Sequence, residues 1–125
     1  MVIRESGEDY LEVILILKER QGQVRSIDIV NEMQFKKPSV SVAMKKLRES
    51  GHVLTDKDGF ISLTGKGQEV AERIYERHRV LTSALIRLGV DEKTAAADAC
   101  KIEHDISEQT FARLKEHIQK HPAKE

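Results

Sequence analysis

Residues 36–63 read KKPSVSVAMKKLRESGHVLTDKDGFISL, and two different patterns meet inside them. Pro38 suits the first turn of a helix, where its missing N–H is not needed. That helix carries Val40, Val42, Met44 and Leu47 and stops at Gly51. Val53, Leu54 and residues 60–63 then flank Asp56-Lys57-Asp58-Gly59, whose Asp-Gly pair supplies the positive φ of a tight hairpin turn. The stretch predicts a helix followed by two short strands with a charged tip.

Upstream, Ser6 is placed to cap the amide of Asp9 and open a helix running to about residue 20, with Gly22 ending it. Ser26 is expected to cap a shorter helix over 26–33, with Asp28 near its positive end. The order helix, helix, helix, hairpin is the signature of a winged helix-turn-helix. Downstream, Val70, Ile74, His78, Leu81, Leu85 and Leu88 recur every three or four residues on one long helix, closed by Gly89. Asp91 caps a further helix expected to reach about residue 104, and Ser107 another carrying Phe111, Leu114 and Ile118. The expected fold is mainly α: a winged helix-turn-helix over residues 1–66, then an α-helical metal-binding and dimerisation region over 67–125. Three helices are too few to bury a core alone, so they are expected to pack against a second copy as a homodimer.

With 125 residues, 34% of them charged and 4% aromatic, the chain has a helix-rich composition and a lean core. No run resembles a signal peptide or reaches membrane-spanning length, and a single cysteine fits a reducing compartment, so a cytoplasmic protein with no membrane partner is expected. The net charge of zero argues against indiscriminate nucleic-acid binding. Its distribution is uneven: Lys36, Lys37, Lys45, Lys46 and Arg48 lie together with no acid among them, while Glu5, Glu8, Asp9 and Glu12 cluster near the start.

The basic segment coincides with the second helix of the helix-turn-helix, which lies in the major groove in such proteins. Pro38, Ser39, Val40 and Ser41 open that helix and are expected at base edges. Lys36, Lys37, Lys45 and Lys46 are expected on phosphates, positioning without specifying. Lys57, at the hairpin tip, is a candidate for the backbone or the adjacent minor groove. Double-stranded DNA is therefore the expected partner.

Cys100, Glu103 and His104 share one helical face, bringing a thiolate, a carboxylate and an imidazole together. His78 sits on an otherwise apolar stripe and needs partners for its ring nitrogens. Asp9 and Glu12 place two carboxylates on one face of the first helix. Taken singly, each has an ordinary structural reading: a core histidine, helix-start acids, a small buried cysteine. Taken together, they are a candidate metal-ligand set.

Four stretches resemble the diphtheria toxin repressor family of metal-dependent regulators: 8–12 (EDYLE), 63–67 (LTGKG), 77–78 (RH) and 100–107 (CKIEHDIS). The resemblance implies a homodimer that binds palindromic operators when loaded with iron(II) or manganese(II) and represses metal-uptake genes. It implies Asp9, Glu12, His78, Glu103 and His104 as ligands of the manganese-responsive type, whereas Cys100 matches the iron-responsive type and Asp9 departs from it. Thr82 and Ala96 stand where relatives often carry a glutamate and a histidine, so the usual donors of an ancillary metal site are missing there. A C-terminal SH3-like domain such as longer members carry is not expected within residues 1–125. A thiolate favours softer ions and carboxylates harder ones, so iron(II) is expected, manganese(II) is close behind, and zinc or cobalt is expected to fill the site in vitro.

Other readings differ in what they require. A winged-helix regulator answering a non-metal ligand needs an apolar pocket between the dimer helices. A metalloenzyme needs an open coordination position and a substrate cleft, and no loop here is long enough to build one. A protein-interaction module, three helices with an incidental hairpin, would show no salt-dependent DNA binding.

Overall fold

The structure, a computed structural model, describes residues 3–121. Its elements run α1 (Ile3–Gln21), α2 (Ser26–Met33), α3 (Lys37–Glu49), β1 (Val53–Thr55), β2 (Ile61–Leu63), α4 (Gly65–Arg87), α5 (Glu92–Ile102) and α6 (Glu108–Lys120). They form two compact units, residues 1–73 and 74–125, whose boundary falls inside α4.

In the first unit, α1, α2 and α3 pack around Leu11, Ile14, Ile29, Val40 and Met44, each 2% exposed or less. The helix starts differ in detail from the sequence expectation. α1 already begins at Ile3, three residues before the Ser6 that the sequence expectation placed at its start. Ser26 is the first helical residue of α2, not its cap. The capping carboxylate is that of Asp28, which accepts the Arg25 amide at 2.8 Å. Pro38 lies in the first turn of α3, behind Lys36 as N-cap, and Gly51 leaves the helix with φ +81°.

The wing is an antiparallel pair with Val53 opposite Leu63 and Thr55 opposite Ile61. Phe60 falls outside β2, although the sequence expectation placed it there. Its amide is held by the Asp56 carboxylate at 2.9 Å, which also accepts the amide of Asp58 at 2.9 Å. Asp56 thus shapes the turn, and Gly59 takes φ +86°. Ile61 also donates to the carbonyl of Val24 at 2.7 Å, so the segment before α2 adds a bridge to the wing.

The second unit holds the C-terminal part of α4 with α5 and α6. Ile74 and Leu81 are buried on α4, as the stripe predicts. Leu88 is 79% exposed, because the helix ends at Arg87 and Gly89 turns the chain at φ +102°. Asp91 caps α5: its carboxylate accepts the amide of Thr94 at 3.1 Å and its hydroxyl at 2.8 Å. Those bonds to Thr94 hold the Asp91 carboxyl below its ordinary value. A group with a depressed folded pKa stabilises the fold above its unfolded pKa and loses that contribution as pH falls through the folded value. Asp91→Ala is therefore expected to lower the melting temperature at pH 7, with the gap between variant and wild type closing below about pH 4. An unchanged gap at pH 2–3 would show that the carboxylate charge contributes nothing.

Candidate metal centre and nucleic-acid interface

In the first unit, α3 turns one face inward and leaves the other open. Lys36, Lys37, Pro38, Ser39, Ser41, Lys45 and Lys46 are all exposed. Val40 is not. At 0% exposure it is part of the core with Met44 and Leu47, which corrects its expected place at base edges. The cause is helical period: 40, 44 and 47 are spaced by four and three, so they share the inward face. Arg48 reaches the wing instead, its guanidinium 3.4 Å from the Thr55 hydroxyl. Lys57 is exposed at the hairpin tip. Asp9 and Glu12 lie three apart on α1, Glu12 only 6% exposed.

In the second unit, α5 ends at Ile102, two residues short of the expected end. Glu103 becomes its C-cap, in right-handed helical conformation with its amide on the carbonyl of Ala99. This continues the helical path far enough to keep Glu103 on the inner side, and His104 follows in the turn beyond. Glu103 is 0% exposed and His104 8%. One Glu103 oxygen lies 3.1 Å from Nδ1 of His78, which α4 supplies. The other lies 3.7 Å from Nε2 of His104, is fully buried, and accepts no hydrogen bond among the described residues. Cys100 sits one turn earlier on α5 and is exposed, contrary to its reading as a small buried hydrophobe.

A buried carboxylate oxygen without a donor costs free energy that a cation offsets. The imidazole of His78 and the carboxylate of Glu103, 3.1 Å apart, are donors that first-row divalent ions accept. The residues present therefore fit a divalent metal.

Arg77 belongs to this site as well. Only 6% exposed, it donates through Nη1 to the carbonyl oxygens of Glu103 and Ile106, both at 3.0 Å, and through Nη2 to Glu108 at 2.7 Å. Its guanidinium also lies 5.3 Å from the centre of the Phe111 ring. One rigid fork thus ties the turn after α5 to α4 and to the start of α6. The sequence carried a signal for it: an arginine between Ile74 and Leu81, on the inward side of an apolar stripe, must find its partners inside the fold. Arg77→Met is expected to cost about 1–3 kcal/mol, since it leaves the two carbonyls without their donor. Arg77→Lys should recover little, because one ammonium does not reproduce the fork. A variant within 0.5 kcal/mol of wild type in chemical denaturation, which is the scatter of an ordinary surface substitution, would remove Arg77 from this role.

Two family models match the chain in succession. The N-terminal DNA binding domain of iron dependent repressors matches residues 3–60, and the metal binding and dimerisation domain of the same family matches residues 64–124. The uncharacterized HTH-type transcriptional regulator MJ0568 of Methanocaldococcus jannaschii is 36% identical over 118 residues, 93% of this chain and 94% of that protein. The transcriptional regulator MntR of Escherichia coli O157:H7 is 32% identical over 121 residues, 97% of this chain and 78% of that one. Among solved structures, the manganese regulator SloR superposes with a TM-score of 0.82 at 32% identity, over 90% of this chain and 53% of that chain. This chain thus spans about half the length of SloR. The chain belongs to the iron dependent repressor family, whose members join a DNA-binding domain to a metal-binding and dimerisation domain.

Among the described residues, no helix is long and apolar enough to cross a membrane.

Proposed function

We propose that this chain is a metal-dependent transcriptional repressor that controls metal-ion homeostasis, working in the cytoplasm as a homodimer on a palindromic DNA operator and without enzymatic activity. The observation that carries the reading is Glu103: a fully buried carboxylate, one oxygen of which accepts no hydrogen bond among the described residues, set between His78 and His104. Iron(II) or manganese(II) is the regulating ion in this reading, with zinc or cobalt able to fill the site in vitro.

Glu103 and His104 supply buried donors, His78 a half-buried one, and Cys100 a thiolate from the last turn of α5. The sequence resemblance adds the carboxylates of Asp9 and Glu12 to the ligand set. When bound, the ion supplies two positive charges to these carboxylates. Arg77 holds the turn that carries Glu103 and His104, so both donors are in place beforehand. On the DNA side, Pro38, Ser39 and Ser41 open the exposed face of α3 towards base edges. Lys36, Lys37, Lys45 and Lys46 neutralise phosphates, with Lys57 on the wing as a further contact. A pair of such helices in a dimer reads successive major grooves about 34 Å apart, which demands a palindromic site.

The test is selection from a random-sequence DNA pool with metal-stripped protein, with and without anaerobic iron(II) or manganese(II). Metal-dependent enrichment of one palindrome is expected. A coupling of about 1–3 kcal/mol corresponds to a 5–150-fold gain in affinity. Enrichment indifferent to metal would demote the ligand cluster to a structural feature.

A further inference from the structure

The first unit contains a cleft of about 850 Å³ between the start of α1 and the outer flank of α3. Its floor is apolar: Tyr10, Phe35, Val42 and Leu47. Tyr10 and Phe35 meet edge to face with ring centres 5.8 Å apart. Val42 is 54% exposed. Among its lining residues, Tyr10, Lys36 and Lys46 carry polar groups. Tyr10 is only 3% exposed, yet its hydroxyl makes no hydrogen bond among the described residues. Lys36 and Lys46 stand at the rim, and neither ammonium is in an ion pair among the described residues. Among the described residues, no acid lines the cleft.

An apolar floor, a phenol hydroxyl without an acceptor among the described residues and two lysine ammoniums describe a receptor for a particular ligand chemistry. DNA phosphate satisfies the lysines but gains nothing from the floor. A neutral hydrocarbon satisfies the floor but leaves Tyr10 unpaired. We propose that this cleft binds a small apolar organic acid, its carboxylate between Lys36, Lys46 and the Tyr10 hydroxyl, and that binding opposes DNA binding. Burial pushes the Tyr10 phenol up from its ordinary value, so it stays protonated and donates at physiological pH. The antagonism rests on the DNA-binding reading above, since Lys36, Pro38, Ser39 and Lys46 serve both surfaces.

The experiment titrates the full chain with 2-naphthoate and, in parallel, with 2-naphthalenemethanol, by calorimetry without DNA. Saturable binding of the acid at roughly 10–100 µM is expected, with the alcohol at least about tenfold weaker because it loses the charge-assisted bonds. Tyr10→Phe keeps the ring and should weaken the acid about fivefold, one hydrogen bond's worth. Val42→Trp fills the cleft from an exposed position and should abolish binding, with an unchanged thermal melt showing that the chain still folds. No saturable binding, equal affinity for acid and alcohol, or wild-type affinity in both variants overturns the site. In a second arm, 2-naphthoate should lower the affinity of metal-loaded protein for the selected DNA at least threefold. Binding of the acid with unchanged DNA affinity overturns the antagonism and leaves the site. Failure of the ligand-free, metal-loaded protein to bind any DNA is a failure of the DNA-binding reading, and the calorimetric arm is read independently of it.

Discussion

Glu103→Gln is expected to abolish the response to metal while leaving the metal-free protein at least as stable as wild type. The two effects have one origin. Glu103 is fully buried, and one of its oxygens accepts no hydrogen bond among the described residues. Without a cation, that charge is a burden on the fold, and an isosteric amide removes it. With a cation, the same charge is the strongest donor of the buried set. At a metal concentration one hundred times the dissociation constant, wild type gains about 2.7 kcal/mol, seen as a rise of several degrees in melting temperature. Glu103→Gln should lose that rise and with it the metal-stimulated DNA binding. Thermal melts of both proteins, with and without manganese(II), decide the matter. An equal metal-induced rise in the variant would remove Glu103 from the ligand set. A marked fall in metal-free stability would show that the buried charge is already compensated.

Gly67→Ala is expected to be the most damaging single methyl group in the first unit. A Cβ at Gly67 would lie 2.0 Å from the carbonyl oxygen of His52 and 2.9 Å from its carbon, and both atoms are backbone. No rotamer change relieves such a contact. Nor can the helix retreat easily. Thr64 caps α4 by accepting the Gly67 amide at 3.1 Å, and its hydroxyl donates to the carbonyl of Gly51 at 2.6 Å. Its own amide donates to that same His52 carbonyl at 3.1 Å, and Lys66 donates to the carbonyl of Ser50 at 3.0 Å. The start of α4 is thus stapled to residues 50–52, the link between α3 and the wing. A cost of about 3 kcal/mol or more is expected, at the upper end for overpacking because the clash is with backbone. Gly65→Ala is the control: nothing lies within 4 Å of its Cβ, and it should be neutral within about 0.5 kcal/mol. Equal denaturation midpoints for the two variants would refute the close approach.

These two glycines show how far sequence reading reaches. In Thr64-Gly65-Lys66-Gly67 they look equivalent, and only the three-dimensional approach of His52 separates them. Helix identities were legible because they depend on spacing along the chain: the stripe through Ile74 and Leu81, Pro38 at the start of α3, Gly59 in the wing turn, Asp91 and Ser107 as caps. Ends were less legible. Ser6 and Ser26 have the chemistry of caps, but α1 runs past the first, and Asp28 from inside α2 displaces the second. Phe60 has the character of a strand residue, yet Asp56 takes its amide.

For the candidate site the same division holds. The sequence by itself determined the donor types: carboxylates, imidazoles and a thiolate at helical spacing, with a basic second helix in the helix-turn-helix. Those are properties of residue type and of separations of three or four along one chain. Tertiary structure decided the rest. It buried Glu103 to completion beside a histidine twenty-five positions away, joined Arg77 to carbonyls of a turn that had no sequence signature, and moved Val40 from base edges to the core. It also opened the cleft beside Tyr10, which no spacing announces. Burial and hydrogen-bond completion depend on which distant segments arrive at a given atom, and local pattern carries no record of that.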